Sequence, residues 1–186
     1  MPEQPGRRDA VLAAAVRVLG EGGSRALTHR AVDRTAGVAE GTTSNHFRTR
    51  KALVAGVLHY ISRAEAAPLD ELIPPEGLSV EQLIELSAQR VEYLLGDGRT
   101  LTLARHALFL EAALDPALRP DLVAESEGWW RLGTALLERL GVPDPAARSR
   151  WLFAYIDGLL ADQLARPSAS FDPRAAVRAG LEGLLR

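Results

Sequence analysis

The sequence predicts an all-α protein of about nine helices, in which a small N-terminal head of three helices precedes a larger helical-bundle body. Apolar residues recur at helical spacing through most of the 186 residues, and no segment shows the strict alternation of a half-buried strand. Clusters of glycine and proline interrupt these periodic segments. The hydrophobic fraction of 47% is ample for a buried core.

The first helix of the head is predicted from about Arg7 to Glu21, and it ends at the pair Gly22-Gly23. Its apolar face is formed by four residues at helical spacing: Val11, Ala15, Val18 and Leu19. This helix supplies a packing partner for the two short helices that follow.

Residues 28–47 predict two short helices joined by a tight turn. Thr28 is a good N-cap for the first helix, Gly37 tolerates the left-handed conformation that ends it, and Val38 anchors the turn in the core. The second helix, about two turns long, carries short polar side chains where a packing helix would carry leucines. These side chains are Thr42, Thr43, Ser44, Asn45 and His46. The pattern predicts a helix-turn-helix that offers hydrogen bonds to a DNA major groove, and a solvated surface helix is the alternative.

The charge distribution favours DNA as the partner of the head. Residues 1–52 contain nine Lys/Arg and five Asp/Glu, a net charge of +4, whereas the remainder of the chain carries −6. A basic segment on an acidic protein is typical of a small module that meets phosphate while the rest does not.

The body is predicted to be helical throughout. Phe47 closes the recognition helix, and Thr49 caps a long helix from Arg50 to about Ala67 that ends before Pro68. Residues 68–79 form the main connection, and five more helices follow. They are predicted at about Val80–Leu95, Thr100–Leu114, Pro120–Leu140, Pro145–Ala165 and Pro173–Leu185.

Several chemistries are excluded by composition. The chain has no cysteine, which rules out disulfides and thiolate catalysis, and its four histidines lack a paired metal-ligand spacing. The glycines at 20, 22 and 23 follow a helix and not a strand, so they do not form a phosphate loop. No apolar run reaches the roughly 20 residues of a membrane span. We therefore expect a cytoplasmic protein without metal, cofactor or membrane partner.

Residues from about Arg8 to Tyr60 resemble the TetR family of bacterial one-component transcriptional regulators. The resemblance is carried by Ala36-Gly37-Val38, Gly41-Thr42, Phe47 and the pattern Phe-x-Thr-Arg-Lys-Ala-Leu that ends at Leu53. Beyond Tyr60 it rests on helix count, chain length and Asp157-Gly158-Leu159. It implies a DNA-binding domain at residues 1–48 and, at residues 49–186, an effector-binding and dimerisation domain. The function it implies is a repressor that binds a palindromic operator as a homodimer and is released by a small molecule.

The resemblance also implies which residues contact DNA. Asn45 can pair with adenine, Arg30 with guanine, and Thr42 or Thr43 can place a methyl group on thymine. Glu40 stands where relatives often carry lysine and Ser44 where they often carry tyrosine. Glu40 can accept from cytosine or act as a favourable charge at the helix N-terminus. The full predicted set is Thr28, Arg30, Glu40, Gly41, Thr42, Thr43, Ser44, Asn45, His46 and Arg50.

Aromatic and polar residues of the body lie on helices that surround an effector cavity in the family. The predicted ligand-binding residues are Tyr93, Arg105, His106, Phe109, Trp129, Trp130 and Tyr155, with Glu111 and Asp157 as further polar anchors. Core packing is the alternative for each aromatic, because pockets and cores use the same apolar residues. Trp129 and Trp130 are adjacent and cannot both face inward, so one is predicted at an interface or pocket mouth.

The last two helices are predicted to form the dimer interface. Their apolar stripes and small residues are Trp151, Leu152, Tyr155, Gly158, Leu159, Val177, Gly180, Leu181 and Leu184. Two other functions stay open at this point: a helical small-molecule carrier or enzyme with an appended DNA-binding head, and a nucleoid-type DNA protein without ligand control. The absence of a nucleophile–base pair, paired carboxylates or cofactor loop argues against an enzyme.

Overall fold

The computed structural model describes residues 6–66 and 79–185, with side chains as far as Gly183. Within these residues all regular elements are helical, as the sequence predicts. The predicted connection at 68–79 lies outside them except for Ser79, and so does the side chain of Leu184. None of the described helices has the length and apolar composition that crossing a membrane requires.

Nine α-helices follow one another in the described chain. They are α1 (Arg7–Ala26), α2 (His29–Ala36), α3 (Thr42–His46), α4 (Arg50–Ala66), α5 (Val80–Leu95), α6 (Arg99–Leu114), α7 (Arg119–Arg139), α8 (Pro145–Ala165) and α9 (Pro173–Leu185). A short 3₁₀ helix, Pro116–Leu118, precedes α7. The bounds agree closely with prediction, except that α3 has five residues instead of about two turns. The non-helical Gly23 kinks α1 at the end predicted for that helix, and a short segment continues to Ala26.

Two compact units are present. The N-terminal unit contains the described residues of 1–65 and 100–125, and the C-terminal unit contains those of 66–99 and 126–186. The N-terminal unit is thus larger than the predicted DNA-binding domain, because α4, most of α6 and the start of α7 pack with the three head helices. The functional boundary between residues 48 and 49 stays a prediction.

The core of the N-terminal unit is formed by the predicted apolar faces of α1 and α4. Val11, Ala15, Val18 and Leu19 are all buried, as are Leu53, Val54, Val57, Leu58 and Ile61. Phe47, which ends α3, is buried against α4 at Gly56, where a Cβ would lie only 2.5 Å from the Phe47 ring. This contact fixes the end of the recognition helix against α4.

The C-terminal unit is built on α5, α8 and α9. Ile84 and Val91 of α5 are fully buried, together with Leu160 of α8 and with Val177 and Leu181 of α9. Helix α5 begins with a capping box, in which the Ser79 and Gln82 side chains each bond the other residue's backbone N–H. At the surface, Arg174 and Arg178 of α9 both donate to Glu81 of α5. Hydrogen bonds from Arg178 and Arg174 lower the pKa of Glu81, although burial opposes them.

Candidate nucleic-acid interface

The helix-turn-helix has the local geometry that its sequence predicts. The Thr28 hydroxyl accepts from the N–H of Ala31 at 3.1 Å and so caps α2. Gly37 ends α2 in the left-handed region, with φ of 66°, and its N–H bonds the helix carbonyls. Val38 is half-buried and packs against the core of the unit. The turn therefore holds α2 and α3 in a fixed relation.

Asp33 joins the two helices from the buried side of the turn. Its carboxylate accepts from the backbone N–H of Gly41 and from that of Thr43, each at 2.8 Å, and also from the Thr43 hydroxyl. Burial raises the pKa of Asp33, but the hydrogen bonds from Thr43 and Gly41 outweigh it and hold this pKa below its ordinary value. Asp33 thus caps the recognition helix from another helix.

The role of Asp33 is not among the predictions from sequence. The available signal is an acidic residue at a buried position of α2, next to Val32 and four residues before Gly37. A buried carboxylate requires hydrogen-bond donors, and the free N–H groups at the start of α3 are the nearest ones.

The prediction that Thr43 contacts DNA is corrected. Its side chain is 0% exposed and bonds Asp33, so it cannot reach a base. Thr42 donates its hydroxyl to the Ala39 carbonyl at 2.6 Å, which leaves its methyl group for apolar contact. Ser44, Asn45 and His46 are exposed. The face that α3 presents to solvent therefore consists mainly of these last three residues.

Arg30 and Glu40 form an ion pair outside the recognition helix. The Nε of Arg30 lies 3.0 Å from a carboxylate oxygen of Glu40, and both side chains are largely exposed. Exposed ion pairs contribute at most about 1 kcal/mol, so Arg30 can exchange Glu40 for a guanine edge. The ion pair with Arg30 is therefore a third interaction for Glu40, besides the cytosine contact and the charge at the helix N-terminus that the sequence predicts.

An open cleft lies beside the helix-turn-helix and brings two predicted DNA contacts, Thr28 and Arg50, together. It has a volume of about 470 Å³ and is lined by Ser24, Arg25, Leu27, Thr28, His29 and Arg50. The His29 ring nitrogen Nε2 is 2.6 Å from the Phe47 carbonyl oxygen, which ties α2 to the end of α3. Arg50, the first residue of α4, donates to the carbonyls of Leu27 and Ser24 and to the carboxylate of Glu111. Glu111, expected as an effector anchor, therefore bonds a residue that lines this basic cleft.

Three predicted effector residues form one cluster on α6 in the N-terminal unit. The Phe109 ring lies 5.8 Å from His106 and 5.7 Å from the Arg105 guanidinium. Arg105 pairs at 3.2 Å with the buried carboxylate of Glu65 on α4. Glu65 is not among the residues predicted from sequence. This cluster combines an aromatic ring with a buried ion pair.

The other effector candidates lie in the C-terminal unit. Trp129 packs edge-on against Phe153 at 6.2 Å, and the Arg150 guanidinium covers Trp130 at 3.9 Å, so both half-buried tryptophans contact α8. Tyr93 is exposed and packs against Gly98 and Arg90, and its contact with an effector stays a prediction.

Three dimer-interface predictions are also corrected. Leu152, Val177 and Leu181 are buried within the protomer's own core, so they are not available to a partner. Gly180 is covered by the ring of Tyr155, whose hydroxyl donates to the Ala176 carbonyl at 2.9 Å. Trp151 and Gly158 remain exposed, and Leu159 is half-buried. Among the described residues, no group of three His, Asp or Glu is placed to hold a metal ion.

Comparison with known families gives two matches that together cover most of the chain. The profile for bacterial regulatory proteins of the tetR family matches residues 11–57. The profile for the tetracyclin repressor-like C-terminal domain matches residues 78–186. No curated protein matches.

Solved structures of similar proteins cover nearly the whole chain. A member of the TetR family from Streptomyces coelicolor A3 is 29% identical, with 98% of this chain and 99% of that chain covered and a TM-score of 0.76. The multidrug binding protein EbrR complexed with ethidium is also 29% identical, with 97% and 99% covered and a TM-score of 0.76. A transcriptional regulator from Rhodococcus sp. Rha1 shares the fold at 23% identity, with 96% and 95% covered and a TM-score of 0.78.

Proposed function

Because this chain belongs to the TetR family of transcriptional regulators, which bind DNA through their helix-turn-helix and are not enzymes, we propose that it is a repressor controlled by a small molecule. In this proposal a homodimer binds a palindromic operator, and an effector releases it. The observation that carries the proposal is a rigidly capped recognition helix with exposed Ser44, Asn45 and His46, next to a basic cleft. A nucleoid-type protein would bind random DNA nearly as well as its own promoter.

We assign base contacts to the exposed side of the helix-turn-helix. Asn45 is the strongest candidate, because its amide can form two hydrogen bonds with adenine. Arg30, Glu40, Gly41, Thr42, Ser44 and His46 surround it, and Thr28 and Arg50 hold phosphates from the cleft. Two such heads in a twofold dimer would read half-sites about one helical turn apart.

Replacing Asn45 with alanine should weaken binding to the operator by roughly 1–3 kcal/mol and leave binding to random DNA nearly unchanged. The operator is first located by footprinting the intergenic region beside the gene, and both affinities are then measured at one salt concentration. Arg50→Ala is the matched comparison and should weaken both DNAs similarly. Equal losses on both DNAs for Asn45→Ala would remove this residue from the base contacts.

The dimer interface that we propose is centred on Trp151 and includes Gly158 and Leu159, which follow it on α8 at spacings of seven and eight residues. Trp151 is 58% exposed, and a single exposed tryptophan of this kind is a typical interface anchor. Tyr155 lies between them on the same face, but its ring also packs within the protomer.

Trp151→Glu should raise the dimer dissociation constant by about 30-fold or more, since anchor residues contribute about 2 kcal/mol or more. Light scattering at micromolar concentration checks the mass of the wild type and the variant. Leu114→Glu is the control, because Leu114 is 79% exposed but lies on α6. A monomeric wild type, or an unaltered mass for Trp151→Glu alone, would contradict this interface.

We place the effector beside α4 and α6, at Arg105, His106 and Phe109. Support comes from the aromatic ring beside the buried Glu65–Arg105 pair, and from EbrR, which is complexed with ethidium in one structure and with imidazole in another. A planar aromatic cation could stack on Phe109, because the Arg105 charge beside the ring is already balanced by Glu65. Helix α4 also carries Arg50, so an effector that prefers one position of α4 alters the DNA-facing cleft. The roles of Trp129, Trp130 and Tyr155 in effector binding stay predictions.

An effector at this cluster should weaken operator binding by about 5- to 150-fold, and the operator should weaken effector binding by the same factor. Ethidium binding is measured on DNA-free protein, because ethidium intercalates into DNA. Operator release is measured with a bulky aromatic cation that cannot intercalate, such as tetraphenylphosphonium. Phe109→Ala should lower cation affinity, whereas Asn45→Ala should not. Equal cation affinity with and without operator would show that the cation is not the signal.

A further inference from the structure

A compact set of hydrogen bonds surrounds the Arg50 guanidinium and joins it to Ser24, Leu27 and Glu111. The Nε and Nη2 atoms of Arg50 lie 3.2 and 2.9 Å from one carboxylate oxygen of Glu111, and Nη2 lies 3.0 Å from the other. The Ser24 hydroxyl donates to the same carboxylate. On the other side of the guanidinium, Nη1 donates to the Leu27 carbonyl at 2.5 Å, while Nη2 also donates to the Ser24 carbonyl at 2.9 Å and to the Ser24 hydroxyl at 2.8 Å.

Glu111 holds the edge of Arg50 that a phosphate would use. A guanidinium binds carboxylate and phosphate in the same way, by two nearly parallel N–H···O bonds from one edge. The Nη1 side is already directed to the Leu27 carbonyl, so the Nε and Nη2 edge is the one suited to an anion. Glu111 occupies that edge at hydrogen-bond distance.

The Arg50–Glu111 ion pair is partly open to solvent, so Arg50 can exchange Glu111 for another anion. The Arg50 side chain is 42% exposed and the Glu111 side chain 17% exposed. Water screens the attraction on the Arg50 side, where the cleft opens, while Glu111 is held in place by Ser24. A phosphate arriving at the cleft would find Arg50 accessible but already occupied.

We propose that Glu111 is an internal competitor for DNA phosphate, which holds Arg50 in the DNA-free state and lowers affinity for DNA of any sequence. The inference rests on the proposed phosphate contact of Arg50. Glu111 lies on α6, five residues after His106 and two after Phe109. A movement of α6 caused by an effector would therefore strengthen or release the competition at Arg50.

The test compares Glu111→Gln with the wild type in the full-length protein, on operator and on random DNA, over a series of salt concentrations. Glutamine keeps the shape and removes the charge. We expect Glu111→Gln to bind both DNAs about tenfold more tightly. The slope of the salt dependence should stay nearly the same, because Arg50 neutralises the same phosphate in both complexes. In the Arg50→Ala background, the same substitution should change affinity less than about twofold.

Glu21→Gln is the charge-matched control, since Glu21 is exposed on α1, and it should change affinity less than Glu111→Gln does. Thermal unfolding verifies that each variant is folded. Tighter binding that persists in the Arg50→Ala background would mean a general charge effect and would overturn the proposal. Weaker binding by Glu111→Gln would also overturn it, because Glu111 would then position Arg50 for DNA.

The outcomes separate this inference from the repressor function. If the wild type prefers its operator but Glu111→Gln binds no more tightly, the competition is wrong and the repressor stands. If the wild type does not distinguish operator from random DNA, the repressor function fails. Tighter binding of both DNAs by Glu111→Gln would still support competition at Arg50.

Discussion

Replacing Asp33 with alanine is expected to lower the free energy of unfolding by about 3–5 kcal/mol and to abolish operator binding. The substitution leaves three donors without their partner: the N–H of Gly41, the N–H of Thr43 and the Thr43 hydroxyl. A buried unsatisfied donor costs about 1–3 kcal/mol. Urea unfolding followed by circular dichroism measures the stability, and hydrogen exchange of the α3 amides tests whether the loss begins at the recognition helix.

Two matched variants distinguish the capping role of the Asp33 carboxylate from the effect of losing side-chain volume. Thr43→Val removes one donor and keeps the shape, so it should cost less than Asp33→Ala. Asp33→Asn keeps the size and an acceptor oxygen but loses the charge, so its cost should lie between the other two. If Asp33→Ala were no more harmful than Thr43→Val, the carboxylate would not be the cap of α3.

The same carboxylate gives a pH dependence of defined sign. Burial raises the pKa of Asp33, but hydrogen bonds from Thr43 and Gly41 prevail, so the folded protein holds this pKa below the ordinary value of 3.8. The stabilisation is therefore fully present above the unfolded pKa and is lost as the pH falls through the folded pKa. Below about pH 4, the stability difference between wild type and Asp33→Asn should shrink as the pH is lowered. A difference that is constant across this range would contradict the lowered pKa.

Phe47→Ala is expected to cost about 3–5 kcal/mol, because it removes a buried ring and leaves a cavity between α3 and α4. Gly56→Ala tests the same contact from the other side. The new Cβ would lie 2.5 Å from one ring carbon of Phe47 and 3.0 Å from another. The overlap should cost about 1–3 kcal/mol and outweigh the gain of about 1 kcal/mol in helix propensity.

The double variant should reverse the sign of the Gly56 effect. With Phe47 reduced to alanine, the space beside residue 56 is free, and Gly56→Ala should stabilise the protein by about 1 kcal/mol. Urea unfolding of the four proteins of this cycle measures the coupling. A Gly56→Ala cost that is equal with and without the Phe47 ring would mean that the ring is not what requires glycine there.

The limits of helices were predictable where a residue with a strong local preference stands at them. Pro145 and Pro173 begin α8 and α9 at the predicted positions, and Gly37 ends α2 as expected. Gly23 breaks the first helix where the sequence predicts its end, because its non-helical backbone kinks the segment before the last residues of α1. Local chemistry thus determines where the chain changes direction.

The faces of helices were harder to predict than their ends. Thr43 and Asn45 are equally polar and two residues apart, and only the contact with Asp33, ten positions before Thr43, decides that Thr43 points inward. Leu152, Val177 and Leu181 have the apolar spacing of an interface, yet they fill the protomer's own core. Apolar periodicity indicates that a face is buried and does not indicate which chain buries it.

The residues that support α3 differ from those that it exposes, and this difference affects how such a regulator can diversify in evolution. The residues that hold the recognition helix in place, Asp33, Thr43 and Phe47, are distinct from the exposed ones at positions 44–46. Because surface substitutions usually change stability by no more than about 0.5 kcal/mol, a duplicated gene could exchange all three exposed residues and still encode a folded protein. New operator preferences are thus open to gradual mutation, and a library randomised at these three positions should consist largely of folded members.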